Sequence, residues 1–185
     1  VMMIGGEFNT PADWLRAGDA VTTIDKFAAA HGGNAPVFVF VDAGGTFNND
    51  TECVNGPRGN SADHLTKDVV PYLIANFGVS PERSNWGVAG WSMGGTCAVD
   101  LATMHPDMFS AFEDIAGDFA PNSGTKTQTI QRLFGGDAAA YAASQRRNGS
   151  CCRSSQAANS VSITGMRGMQ PLAGLASKPG LMGTS

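Results

Sequence analysis

The stretch Trp86 to Gly95, WGVAGWSMGG, constrains this chain more than any other. Gly87-Val88-Ala89 reads as the end of a short buried strand. Met93 to Met104 reads as a helix with Cys97, Leu101 and Met104 on one face. Between them lies Gly90-Trp91-Ser92-Met93-Gly94, a G-x-S-x-G pentapeptide. With 24 glycines in 185 residues the bare pattern is cheap; a strand before it and a helix after it make it restrictive. A turn this tight drives side chains at positions 90 and 94 into neighbouring backbone, and glycine removes them. Gly95 extends the clearance. Ser92 is then raised above a sheet at the positive end of the following helix, a placement that displays a nucleophile. The bland alternative is a glycine-rich turn with an incidental serine.

The chain is long enough for one domain with a real core. It is 42% hydrophobic and 15% charged, in the range of a globular domain. Net charge is -4 with no basic run, which argues against a nucleic-acid partner. No apolar run approaches the ~20 residues of a membrane helix. Val1-Met2-Met3-Ile4 carries no basic leader and no cleavage site, so no signal peptide is read. The four cysteines lack metal-ligand spacing, and no cofactor or metal is expected.

Charge divides the chain. All 16 Asp and Glu lie at or before Asp137, while residues 138–185 hold five Lys+Arg and no acid. The expected division is a domain over 1–143 and a tail over 144–185 of different composition, without fixed structure or non-native.

The short apolar run Val1–Ile4 predicts a strand, and Pro11 and Trp14 are expected in a short helical turn. Asp19 reads as the cap of a helix from Ala20 to His31, with Val21, Ile24, Phe27 and Ala28 inward and Gly32-Gly33 as its stop. Val37–Val41, VFVFV, predicts a strand buried on both faces of a parallel sheet. A long loop follows from Asp42 to Asn60. Ser61 reads as the cap of a helix to Phe77 with Leu65, Val69, Leu73, Ile74 and Phe77 inward, kinked at Pro71 and ended by Gly78. After the serine turn come a strand over Phe109–Ile115, a helix over Lys126–Phe134 and a short helix capped by Asp137. This alternation is a parallel α/β order. Loops after parallel strands gather at one edge. Cys53, in the long loop, and Cys97, five residues past Ser92, can therefore meet as a disulfide; two free thiols, with Cys97 in the core, is the equal alternative.

The pieces Val1–Asn9, Val37–Thr46, His64–Leu73, Gly78-Val79-Ser80-Pro81, Gly90–Gly95 and Met104–Phe109 together resemble the esterase D and mycolyltransferase group of α/β-hydrolases. The resemblance runs over about residues 1–137. It implies an α/β-hydrolase fold, incomplete at both ends, and acyl transfer from a small-molecule or lipid ester to water or an alcohol. It implies Ser92 as nucleophile, and the Met93 and Glu7 backbone N–H groups (Gly6 for the second as an alternative) as oxyanion donors. Trp91 would flank the acyl pocket; a core tryptophan is as good a reading. An exported or cell-envelope location also follows from the family.

The departure from the family is as informative as the match. A serine hydroxyl is inert until a base takes its proton. After Ser92 the one histidine is His105, at the far end of the helix, roughly 18 Å away at 1.5 Å per residue. His64 and His31 read as surface or capping residues. The family's acid and histidine thus have no counterpart in this sequence, which reads as a piece lacking both. Asp118 is a substitute acid with nothing to orient and reads better as a loop cap. Glu113 and Asp114 fall in a strand, a costly place for unpaired acids. Two rival readings stand beside the esterase: a non-catalytic binding module of the same fold, and an aberrant product whose tail has no role.

Overall fold

The computed structural model describes residues 1–152. Its centre is a four-stranded sheet of β1 (Met2–Ile4), β2 (Val39–Val41), β5 (Gly87–Trp91) and β6 (Ala111–Ile115), in the order β2-β1-β5-β6 and parallel throughout. A two-residue antiparallel pair, β3 (Asn55–Gly56) with β4 (Gly59–Asn60), stands apart in the long loop. The helices are α1 (Asp13–Arg16), α2 (Ala20–Ala30), α3 (Ser61–Asp63), α4 (Val70–Phe77), α5 (Met93–Met104), α6 (Lys126–Phe134) and α7 (Ala138–Cys152).

Side-chain alternation along the strands builds a core on each face. Met2, Ile4, Val39, Val41, Val88 and Phe112 face one way, against Cys97, Ala98 and Leu101 of α5 and Leu65, Val70 and Leu73 of the 61–77 helix. Met3, Phe38, Phe40 and Ala89 face the other, against Trp14, Ala20 and Ile24. Helices thus cover both faces of a parallel sheet, as such sheets require. Every residue of α5 from Met93 to Leu101 is buried, so this helix is wrapped rather than amphipathic.

Several local expectations are corrected. Asp19 precedes α2 in a left-handed conformation and makes no side-chain cap bond. Val21 is exposed, and α2 turns Ala20 inward instead. Val37 is also exposed and β2 is an edge strand of the described sheet, half-buried rather than covered on both faces. Ser61 does not cap; its hydroxyl donates to the Ala43 carbonyl at 2.8 Å and ties the helix to the loop after β2. Phe77 lies on the exposed side. Pro71 does not kink a regular helix: the preceding turn, His64–Val69, opens into a π-helix, with Val70 N–H reaching Leu65 O. A proline has no N–H for the carbonyl four residues back, and a wide turn just before it accommodates that loss. The strand expected from Phe109 starts at Ala111, leaving Phe109 buried edge-on against Trp86.

α6 begins in a capping box, Thr125 with Gln128, and Gly135 closes it in the left-handed region. Asp137 Oδ1 accepts from Ala139 and Ala140 N–H at 2.9 Å each, capping α7. That helix is longer than expected and crosses the boundary placed between residues 143 and 144: Ser144 is buried, and the helical backbone runs to Cys152. The expectation for the rest of the tail lies outside the described residues.

Candidate active site

Ser92 is the joint between β5 and α5. Its backbone is at φ 56°, ψ -125°, a conformation that non-glycine residues rarely adopt. Its N–H donates to Ile115 O at 2.9 Å, while its carbonyl accepts from Gly95 N at 2.8 Å and Thr96 N at 3.2 Å. The flanking glycines are required by contact. A Cβ on Gly90 would lie 2.0 Å from Gly94 O; on Gly94, 2.1 Å from Ile4 O; on Gly95, 2.2 Å from Asp114 Oδ1. The elbow is therefore pressed into the backbone of β1 and the loop after β6, with Ser92 half-buried and Trp91 exposed at the turn.

Gly6, in the loop after β1, brings a second backbone segment against the serine. A Cβ there would stand 3.3 Å from Ser92 Cβ, 3.0 Å from Asn9 Oδ1 and 3.6 Å from the Trp91 ring. Glu7 and Met93, the two residues read as oxyanion donors, line one cleft with Gly5, Gly6, Asp42 and Phe47. Asp42 shapes its rim by accepting from Gly44 and Gly45 N–H at 2.9 Å each. Trp91 lines a different groove of about 280 Å³ with Trp14, Ala17, Gly18 and Ile115. At 43% exposure Trp91 is not a core tryptophan. The two chain neighbours of Ser92 thus open onto two clefts, which share Gly5 and Asn9.

The three histidines lie elsewhere. His105 terminates α5, its N–H donating to Leu101 O at 2.9 Å and its carbonyl accepting from Met108 and Phe109. His64 is exposed, with Nδ1 3.2 Å from Asp68 Oδ2. His31 stacks on Phe27 with ring centroids 3.9 Å apart. Asp118 is a loop residue whose Oδ2 accepts from Asn122 at 3.0 Å. Asp114 and Glu113, half-buried, have their carboxyl pKa values raised by desolvation. Asp114 Oδ1 accepts from Gly117 N at 2.8 Å and closes the turn under Gly95.

Cys53 and Cys97 are joined by a disulfide, Cα atoms 5.0 Å apart, which fastens the long loop to the second turn of α5. The sequence reading missed Glu52, next to it. Only 5% exposed, Glu52 has its carboxyl pKa pushed up to about 10, by burial first and by Asp50 second. Trp14 as a wall of the second groove was also not read, while Gly6, the close neighbour of Ser92, was read only as the alternative to Glu7. Nothing local marks Glu52 or Trp14.

A family profile described as "Putative esterase" matches residues 6–161. An uncharacterised protein of Corynebacterium glutamicum is 34% identical over 143 residues, 77% of this chain and 34% of that protein. A diacylglycerol acyltransferase/mycolyltransferase, Ag85A, of Mycobacterium ulcerans is 41% identical over 80 residues, 43% of this chain and 23% of that protein. The chain thus spans about a third or less of the length of these two relatives. Among solved structures, a ferulic acid esterase superposes with a TM-score of 0.57 at 19% identity, over 80% of this chain and 55% of that one. A fluorophosphonate-binding serine hydrolase of Staphylococcus aureus, FphF, does so with a TM-score of 0.57 at 16% identity, over 83% and 58%. The fold is the α/β-hydrolase fold of these neighbours.

Proposed function

The chain belongs to this esterase family, and from that premise we propose that Ser92 is the nucleophile of acyl transfer from a carboxylic ester. The observation that carries the reading is the elbow itself: a serine in a strained conformation between strand and helix, held there by glycines that no side chain can replace. In the reaction Ser92 Oγ bonds to the ester carbonyl carbon and its proton passes to a base. The alcohol then leaves with a proton, and the acyl-enzyme is cleaved by water or a second alcohol. Met93 and Glu7 line the cleft that would receive the oxyanion, and their N–H groups are the proposed donors; losing one such donor costs about 3 kcal/mol of barrier in comparable sites. Trp91 borders the groove that would take the acyl group.

We infer that none of the three histidines serves as the base, since His105 ends α5, His64 pairs with Asp68 and His31 stacks on Phe27. The positions of His31, His64 and His105 favour a second reading for the 185 residues taken alone: they bind an ester and do not turn it over. The substrate is a small-molecule or lipid ester. The Cys53–Cys97 disulfide supports an exported or cell-envelope location, where such bonds persist.

A fluorophosphonate probe separates the readings. In a longer relative that carries the same elbow followed by an acid and a histidine, the probe is expected on the serine corresponding to Ser92, and peptide mass spectrometry locates it. Labelling at another residue, or none in a relative that hydrolyses esters, removes Ser92 from the mechanism.

A further inference from the structure

Glu52 and Cys53 are consecutive non-glycine residues in the left-handed region, at φ 48° and 50°. Such a pair persists only where its surroundings hold it. Two things hold it here. The first is the disulfide to Cys97, with Cys53 1% and Cys97 0% exposed. The second is the seat of the Glu52 carboxyl, buried beside Asp50 and Thr96 with Asp100 of α5 nearby and with its Oε2 free of any hydrogen bond among the described residues. Thr96 also accepts the Asp118 N–H at 2.9 Å, and its own N–H reaches Ser92 O. Among the described residues the charged groups around this seat are Asp50, Asp100 and Arg58, the last 3.3 Å from Asp50. A carboxyl packed against other carboxyls keeps its proton as long as it stays seated.

We propose that the Cys53–Cys97 disulfide is a redox latch on the loop that borders the Ser92 cleft, and that opening it unseats Glu52 and releases its proton to solvent. A dithiol supplies two electrons and two protons. The S–S bond breaks, Cys53 and Cys97 become thiols, and the dithiol becomes a cyclic disulfide. The Glu52 O–H then ionises in water, and the carboxylate cannot return to a seat beside Asp50. The loop from Asp42 to Asn60 carries Asp42, Gly44, Thr46 and Phe47 of the cleft with it. The cleft keeps these walls only in the oxidised chain.

The experiment titrates the oxidised 185-residue chain with dithiothreitol at fixed reduced-to-oxidised ratios, from about pH 5.5 to about 7.5. In that range the thiols of both partners stay protonated, and exchange alone consumes no net proton. The reduction constant is expected to rise about tenfold per pH unit in the wild type, one proton being released, and to be flat in Glu52→Gln. Equal slopes in the two proteins, or no slope in either, overturn the proposal. Amide hydrogen exchange on the wild type gives a second reading that needs no variant. Reduction is expected to speed exchange in residues 42–60 while β5 and α5 stay protected; unchanged exchange or global unfolding overturns the latch. No ester takes part in either measurement, so failure here leaves the role of Ser92 untouched.

Discussion

Gly94 shows how little freedom the elbow has. Its Cα faces the end of β1, where an added Cβ would come within 2.1 Å of Ile4 O and 2.6 Å of Gly5 O, both backbone atoms that no rotamer change can move aside. Gly94→Ala is therefore expected to destabilise the chain by about 3 kcal/mol or more, at the upper end for overpacking; a urea midpoint within error of wild type would contradict the packing described. Glu52 yields a pH-dependent prediction. Its carboxyl pKa is raised from an ordinary 4.5 to about 10, so the folded chain holds a proton that the unfolded chain has lost. The stability this group contributes is full below about pH 4.5 and falls as pH climbs towards 10. Glu52→Gln keeps the shape and removes the titration. With the disulfide intact, the variant should gain on the wild type by about 1 kcal/mol per pH unit between pH 5 and 8. Parallel stability–pH curves would mean that the carboxyl is not held neutral.

Among the elements, α6 rests on its first turn. The Thr125 hydroxyl accepts from Gln128 N–H and the Gln128 side chain accepts from Thr125 N–H. Thr125→Ala is expected to cost about 1 kcal/mol, measured by thermal or denaturant unfolding. Elements whose signals are local were legible in the sequence. β1 was read from a short apolar run and α5 from its apolar face after the turn, and Ser92 followed from the glycines around it. Elements decided by distant partners were read less well. Val21, Val37 and Phe77 are apolar, and only the order of the strands and the side from which a helix is covered leave them exposed. Ser61 has the chemistry of a cap, but the Ala43 carbonyl, 18 residues earlier, takes its hydroxyl. Glu52 looks like any loop acid until the fold puts Cys53 against Cys97 and closes the loop over it.

At the scale of the molecule, the positions of the histidines set an expectation for catalysis. The purified 185-residue chain should turn over a p-nitrophenyl ester no faster than its Ser92→Ala variant, because losing the nucleophile–base unit costs about 10⁶ in rate in a comparable hydrolase. Turnover that Ser92→Ala abolishes would mean that a base has been missed, and His64→Ala would be the next variant to make. The strand order has a consequence for how the chain is made. β1 lies inside the sheet between β2 and β5, and Met2 pairs with both Val39 and Val88. A ribosome adding about 5–20 residues per second delivers β5 roughly 4–17 s after β1. Until then β1 has one edge open, and Cys53 has already emerged without Cys97. Vectorial synthesis therefore leaves an unpaired strand edge and an unpaired thiol waiting together, an interval in which a chaperone or a thiol oxidoreductase would have its longest access to this protein.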